Sequence, residues 1–421
     1  MAISQTLSNA GFETWCVGGA VRDALLGESH LDWDMATAAT PQQVQRLFRR
    51  TVPVGIEFGT VGVLDRGGTM HEVTTFRRDV RTDGRHAVVE FGATLDEDLA
   101  RRDLTINAIA YHPLRHRLYD PFGGREDLAR RIVRAVGDPS QRMHEDRLRA
   151  LRAIRFAARF DFVLDGATWQ AIVASAPHLR NLSAERVKQE LEKTVEQVRA
   201  PSVAFRLWRD SGAFGALVPA LGAIRETTLM AIDHLARPGL SGRPQRRALR
   251  IAALFSELNG KETERALRAL RFSKADTTWI AALVERWSTL QEPMGTLLSA
   301  GAPTDVELRH LAARIGRLRV TGFMRVASAR WRAMPTDVAP SASLVHSAHR
   351  RLLRVAFHDA IEIGDLAIDG DDLRHVGIAP GPAVGTLLNA LVDAVLADQS
   401  MNDRERLLAL AQRMMRARAE T

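Results

Sequence analysis

The first 140 residues alternate short apolar runs with polar turns. "ETWCVGGAV" reads as a strand running into a Gly-Gly turn, and "VRDALLG" as a short helix closed by Gly27. "LDWDMAT" reads as a strand. "TPQQVQRLFRR" reads as a helix with Thr40 at its N-cap and Pro41 in the first turn. "GTVGVLD" and "MHEVTTF" predict two strands joined at Arg66-Gly67-Gly68. "LDEDLARRDLTINAIAY" predicts one helix with Asp96 near its start, and "RLYDPFGG" a Pro-Gly turn leaving it. From Met143 onward the period changes to that of helices. "HEDRLRALRAIRFAARF" and "SAERVKQELEKTVEQV" are the clearest, the second with Ser183 as its cap. Further helices are expected at 247–258, 262–271, 276–290, 305–314 and 386–397. Breaks are expected at 237–244, 292–295 and 334–343.

Composition narrows the class. The chain has 421 residues and is 46% hydrophobic, enough for several units with ordinary cores. No apolar run reaches membrane-spanning length, and the N-terminus lacks the pattern of a secretory signal, so a cytoplasmic protein without membrane contact is expected. The single cysteine, Cys16, excludes an internal disulfide framework and any Cys-based zinc site. His346, His349 and His358 read better as helix-surface histidines than as ligands, so no zinc site is expected. The formal charge is +8, and 54 of the 58 basic residues are Arg. A planar, bidentate donor suits phosphate and base recognition, although an Arg-rich genome would give the same bias.

The candidate chemistry lies near the N-terminus. Gly18 and Gly19 end a strand and open a helix, where backbone N–H groups can approach an anion. Asp32 and Asp34 follow, one residue apart. On a strand such a pair shares a face, where the two charges repel unless solvated or bridged by a divalent cation. A polar strand edge would give the same pair. Downstream of a Gly-Gly turn the pair fits a metal-bound triphosphate, with Mg²⁺ held between carboxylates and phosphates.

Five segments, "GGAVRDALLG", "LDWDMAT", "RRDLTINA", "DPFGGREDL" and "EDRLRALRAIRF", occur in that order. Together they resemble the successive motifs of the class II tRNA nucleotidyltransferases, the CCA-adding enzymes, and of their relatives the bacterial poly(A) polymerases, all within the DNA polymerase beta superfamily. The resemblance spans roughly residues 14 to 195. It implies an α+β protein with a mixed α/β nucleotidyltransferase domain (1–142), a helical neck with a nucleotide-selecting helix (143–215), a helical body (216–333) and a helical tail (334–421). It implies addition of CMP and AMP from CTP and ATP to the tRNA 3′ end, with Mg²⁺ as cofactor. Asp32 and Asp34 match its metal-binding carboxylates, and Gly19 and Arg22, beside Gly18, its triphosphate contacts. Arg102 matches a nucleotide-contacting arginine, with Asp103 and Asn107 toward the ribose. Asp146, Arg149, Arg152 and Arg155 match the selecting helix. Glu72 is a candidate third acid, or else an exposed strand glutamate.

In that resemblance Asp146 and Arg149 are expected three apart on one helix, as a side-chain template. The carboxylate accepts from the exocyclic amine of cytosine or adenine, and the guanidinium donates to the ring nitrogen. Arg152 and Arg155 would orient that pair or touch phosphate. Some family members carry a His-Asp pair after a run like "ALRIAALF"; Ser256 and Glu257 stand there, so no phosphohydrolase activity is expected. The resemblance implies that the polar stretch Arg77 to Val89 takes the place of a loop that governs the switch from C to A addition in that family. Partial CC-only or A-only addition, poly(A) synthesis and a catalytically inactive RNA-binding protein remain as alternatives.

Overall fold

In this computed structural model the described residues are 2–28, 33–82, 87–235, 244–379 and 381–419. The chain divides into two compact units, residues 1–223 and 224–421.

The first unit opens with helix α1 (Ala2–Asn9), strand β1 (Thr14–Val17) and helix α2 (Gly19–Leu25), followed by β2 (Met35–Thr37), α3 (Pro41–Leu47), β3 (Thr51–Gly55), β4 (Thr60–Leu64) and β5 (Met70–Thr75). Next come β6 (Arg77–Thr82), β7 (Ala87–Phe91), α4 (Leu95–Ala100), β8 (Ala110–His112), β9 (Arg117–Tyr119), α5 (Gly124–Arg130), β10 (Ile132–Val133) and α6 (Pro139–Glu145). The helical part continues with α7 (Leu148–Phe160), β11 (Val163–Leu164), α8 (Gly166–Ser175) and α9 (Ala184–Gln197), and two more helices, Pro201–Asp210 and Ala213–Leu217, complete the unit.

Seven strands form one sheet in the order β3-β4-β5-β2-β1-β8-β9, in which only β2 and β5 run parallel. Strands β6 and β7 form a separate ribbon. Trp15, Val17, Ala36 and Ala110 from the sheet pack with Phe76, Leu95, Leu99 and Val136 in one core. The strong local signals act as expected. Thr40 closes a capping box with Gln43, with Pro41 at the first helical position. Gly27 takes a left-handed φ of 76° just beyond α2.

Several expectations need correction. Among the described residues of "LDWDMAT" (33–37) strand is confined to the last three, and Asp34 lies just ahead of β2. Asp32 is outside the described residues. "LDEDLARRDLTINAIAY" is not one helix: α4 stops at Ala100, and the chain re-enters the sheet as β8. Backbone groups that a helix would use are taken by the segment before α6. Thr105 N–H donates to Arg134 O (2.9 Å), Val136 N–H to Asp103 O (3.3 Å), and Leu104 bridges Ala135. "RLY", expected in a turn, is strand β9; the turn follows it, where Asp120 accepts the N–H groups of Gly124 and Arg125 at 2.8 Å each. Ser183 stands at the start of α9, although its side chain makes no capping bond.

The second unit is helical among the described residues, and no described helix is long and apolar enough to cross a membrane. The break expected at 292–295 is absent, because the helix Lys274–Ala300 runs through Pro293. Its buried residues Leu290, Met294 and Leu298 recur every four positions. Their burial compensates the hydrogen bond lost at proline. The break at 334–343 is present between Val320–Arg332 and Ala342–His358. The one at 237–244 lies almost wholly outside the described residues. Ile368, Leu373, Leu391 and Leu407 form a core of their own near the C-terminus.

Candidate active site

A cavity of about 460 Å³ opens in the first unit. It gathers Gly18, Gly19, Arg22, Asp34, Arg102, Asp103, Asn107, Asp146, Arg149, Arg152 and Arg155, which lie far apart in sequence. Eight cationic side chains line it against three carboxylates. An excess of that size favours a polyanion such as a triphosphate.

Gly18 joins β1 to α2 at φ 76° and ψ −137°, a conformation open to glycine. A Cβ there would lie 3.1 Å from Arg102 Nη1, so the turn is also closed against the arginine. Arg22, one turn into α2, is buried. Its Nε donates to Asp23 Oδ1 at 2.7 Å and its Nη1 to Asn107 Oδ1 at 2.5 Å. Its guanidinium also lies over the rings of Phe156 and Phe160, 4.9 and 4.8 Å from their centroids. Burial pulls the Arg22 guanidinium below its ordinary value, and Asp23 pulls it back up.

Asp98, on α4, holds the two arginines that follow it. Its Oδ1 accepts from Arg101 at 2.7 Å and its Oδ2 from Arg102 at 3.1 Å. Burial pushes this carboxyl up, yet the charges of Arg102 and Arg101 hold it below the usual range. Asp103 is similarly engaged. Its Oδ1 accepts from Leu104 N–H and from Asn107 Nδ2, both at 2.9 Å, and Arg152 donates to its Oδ2. Burial alone would raise Asp103; the Arg152 charge and the Asn107 and Arg152 hydrogen bonds outweigh it and hold the group at about 2.

The segment expected to select the base departs from that expectation in its geometry. Asp146 does not share a helix with Arg149: it sits in extended conformation (φ −148°, ψ 106°) between α6 and α7. Its Oδ1 accepts Leu148 N–H at 3.0 Å, a capping role that short acidic side chains favour over helix interiors. Its Oδ2 accepts from Arg186 on α9 at 2.7 Å. Arg149 donates instead to Glu145 Oε2 (2.7 Å) and to Arg101 O (2.8 Å). Both still face the cavity. Arg155 is almost fully buried and turns to α9, where Glu190 and Gln197 accept its hydrogen bonds.

Asp34 lines the cavity too. Its carbonyl accepts Val17 N–H at 3.0 Å, which ties it to the strand that ends in the glycine turn. Met35 pairs with Val73 across the parallel β2–β5 register, so Glu72 stands in the place corresponding to Asp34 one step earlier. Glu72 does not line the cavity itself. Among the described residues no cluster of three or more metal-type ligands occurs; Asp34 presents a hard oxygen donor to the cavity, Glu72 lies outside its lining, and Asp32 lies outside those residues. The cavity also contains Arg101, Phe156, Arg159, Lys193 and Gln197, which motif reading did not select. Arg159 follows Arg155 by four residues on α7, and Lys193 and Gln197 are four apart on α9, so helical spacing is the signal that finds them.

Residues 14–134 match the family described as "Poly A polymerase head domain", and residues 161–225 match "Probable RNA and SrmB- binding site of polymerase A". A CCA-adding enzyme from Geobacillus kaustophilus (strain HTA426) is 35% identical over 97% of this chain and 95% of its own. The chain belongs to the CCA-adding enzyme family. A second CCA-adding enzyme, from Limosilactobacillus fermentum (strain NBRC 3956 / LMG 18251), is 34% identical over 99% of this chain and 96% of its own. The crystal structure of the Bacillus stearothermophilus CCA-adding enzyme in complex with CTP superposes with a TM-score of 0.75 at 33% identity, covering 100% of this chain and 97% of that one. The Thermotoga maritima CCA-adding enzyme, solved in complex with tRNA, shares the fold at a TM-score of 0.64 and 20% identity, over 98% of this chain and 94% of that one.

Proposed function

We propose that this chain adds CMP and AMP to the 3′ end of tRNA without a nucleic-acid template, in the cytoplasm. The observation that carries the reading is the cavity itself. A glycine turn, Asp34, the arginines after Asp98 and the Asp146–Arg149 segment converge there, in a chain matched along nearly its whole length to CCA-adding enzymes. The terminal 3′-hydroxyl attacks the α-phosphate of CTP or ATP. A new P–O bond forms, the bond between α- and β-phosphates breaks, and pyrophosphate leaves with the electron pair.

The family uses divalent metal ions. We assign the metal site to Asp34 and Asp32, which would hold Mg²⁺; bound there it would supply charge neutralisation at the reacting phosphate, with Glu72, outside the cavity lining, not required as a donor. The protein's own part is placement. Gly18 and Gly19 admit phosphate oxygens to backbone N–H groups, and Arg22 and Arg102 balance their charge. Asp103 and Asn107 present polar atoms toward the ribose. Asp146 accepts the base amine and Arg149 donates to the ring nitrogen, while uracil and guanine, with that order reversed, meet acceptor with acceptor. Arg152 and Arg155 orient this group.

We assign catalysis to residues 1–142, base selection to 143–215 and grip on the RNA to the helical body (216–333) and tail (334–421). Recognition of A-form RNA by backbone and shape accounts for tolerance of many tRNA sequences. Incubation with tRNA lacking its CCA end, with CTP and ATP singly and together, tests the reading. A product extended by CCA is expected. A product stopping at CC identifies a CC-adding enzyme and points to the β6–β7 ribbon, whose residues 83–86 are outside the described ones. A long A tail identifies a poly(A) polymerase, and no extension an RNA-binding protein.

A further inference from the structure

Four residues of α9 fall on one stripe: Arg186, Glu190, Lys193 and Gln197, spaced by four, three and four, lie within about 60° around the helix. Three of them hold the selecting segment. Arg186 binds Asp146, while Glu190 and Gln197 bind Arg155. Lys193 reaches the cavity between them.

Arg186 differs from the others in what it holds. Asp146 faces the cavity, and Arg186 is not among the residues lining it. The carboxylate is pinned from behind at both oxygens, by Leu148 N–H at 3.0 Å and by Arg186 Nη2 at 2.7 Å. A carboxylate has about four lone-pair sites. Two of them are thereby filled, and the rest are directed by that choice. Arg186 Nη1 is buried with no hydrogen-bond partner among the described residues, an unfavourable arrangement for an arginine with no task at that place.

We propose that Arg186 is a specificity-determining positioning residue, which fixes the rotation of the Asp146 carboxylate so that its remaining lone pairs meet the exocyclic amine of cytosine or adenine. The inference rests on the reading of Asp146 as the base-selecting acceptor. Without Arg186 the carboxylate pivots about its single bond to Leu148 N–H. It then accepts at several angles, and geometric rejection of uracil and guanine weakens. Arg186 does not line the cavity, and the grip on RNA is assigned to the body and tail, so neither the phosphate contacts nor that grip is expected to change with it.

The test uses the full chain and tRNA lacking its CCA end, with single-turnover addition of the first nucleotide from CTP and from UTP. Arg186→Ala is expected to lower the CTP:UTP ratio of kcat/KM by about tenfold or more, the scale of one lost base contact. Affinity for tRNA should stay within about twofold, because the phosphate contacts that dominate it are untouched. Arg186→Lys, which keeps a cationic donor, should restore part of the ratio. Asp146→Ala runs in parallel. If it relaxes selection while Arg186→Ala and Arg186→Gln keep the wild-type ratio, the positioning role is overturned and the role of Asp146 stands. If Asp146→Ala keeps the wild-type ratio, both fall. Should Arg186→Ala not fold, Arg186→Gln, which keeps a donor without the charge, carries the same comparison.

Discussion

Arg152 reaches a single oxygen of Asp103 with two of its nitrogens, Nε at 2.8 Å and Nη2 at 2.7 Å. The contact ties α7 to the segment after α4 and sets one wall of the cavity. Because the carboxyl of Asp103 is held at about 2, below its ordinary 3.8, its ionised form stabilises the fold. That contribution is complete above 3.8 and fades as pH falls through about 2. Asp103→Asn should cost about 2 kcal/mol near pH 7, since each tenfold change in proton affinity is worth about 1.4 kcal/mol. Urea titrations of both proteins at a series of acidic pH values check this. The gap should narrow as pH drops below 3.8, and a gap that is constant to about pH 2 contradicts the assignment.

The turn before α2 offers a backbone test. Gly18→Ala forces a side chain into a left-handed φ and toward Arg102, at a strain of about 1–3 kcal/mol. KM for CTP should rise about tenfold for each 1.4 kcal/mol lost in nucleotide binding. Titration of initial rates against CTP measures it, and an unchanged KM in a folded variant removes the glycine turn from the phosphate site.

Asp34→Asn keeps size and removes charge. Nucleotide addition should fall by more than about 100-fold, the scale on which loss of one oriented polar group acts. Binding of tRNA, measured by filter retention, should persist. Asp32→Asn is expected to behave in the same way. A parallel loss of binding and turnover in folded protein argues against the metal-binding role.

If the Arg-rich helical body and tail grip RNA through phosphates, tRNA affinity must fall steeply with salt, because each contact releases counterions. Dissociation constants measured between about 50 and 200 mM salt should rise by orders of magnitude. A flat response rules out an electrostatic grip.

What the sequence revealed depended on how local the cause was. The Thr40–Pro41 helix start, the glycine turn and the period of α7 and α9 are settled by residues within a few positions of each other, and they stand as read. The strands β3, β8 and β9 are three to five residues long and show too little alternation to stand out. The end of α4 is decided by pairing with residues 134–136, some thirty positions on. Pro293 misled because proline reads as a breaker, whereas burial of one helix face overrides it. The same division holds in the site. The motif residues that line the cavity were singled out because each motif is contiguous. Arg186, Glu190 and Lys193 were passed over because a stripe on one helix does not reveal what it faces. Asp146 was placed on the wrong element, since a capping carboxylate and a helical one look alike in a string.

The α9 stripe also bears on how such an enzyme can change over generations. If Asp146 selects the base, that choice lies in the segment between α6 and α7 but is held in place from α9, so the segment and α9 form one inherited unit. A substitution at Asp146 that favoured another base would leave Arg186 presenting a donor to the new side chain, at 2.7 Å from where the old acceptor stood. The first step alone is therefore unfavourable, and effects at such neighbouring sites do not add. On that reading, new nucleotide preferences in this architecture require paired changes, which would make the existing preference resistant to drift.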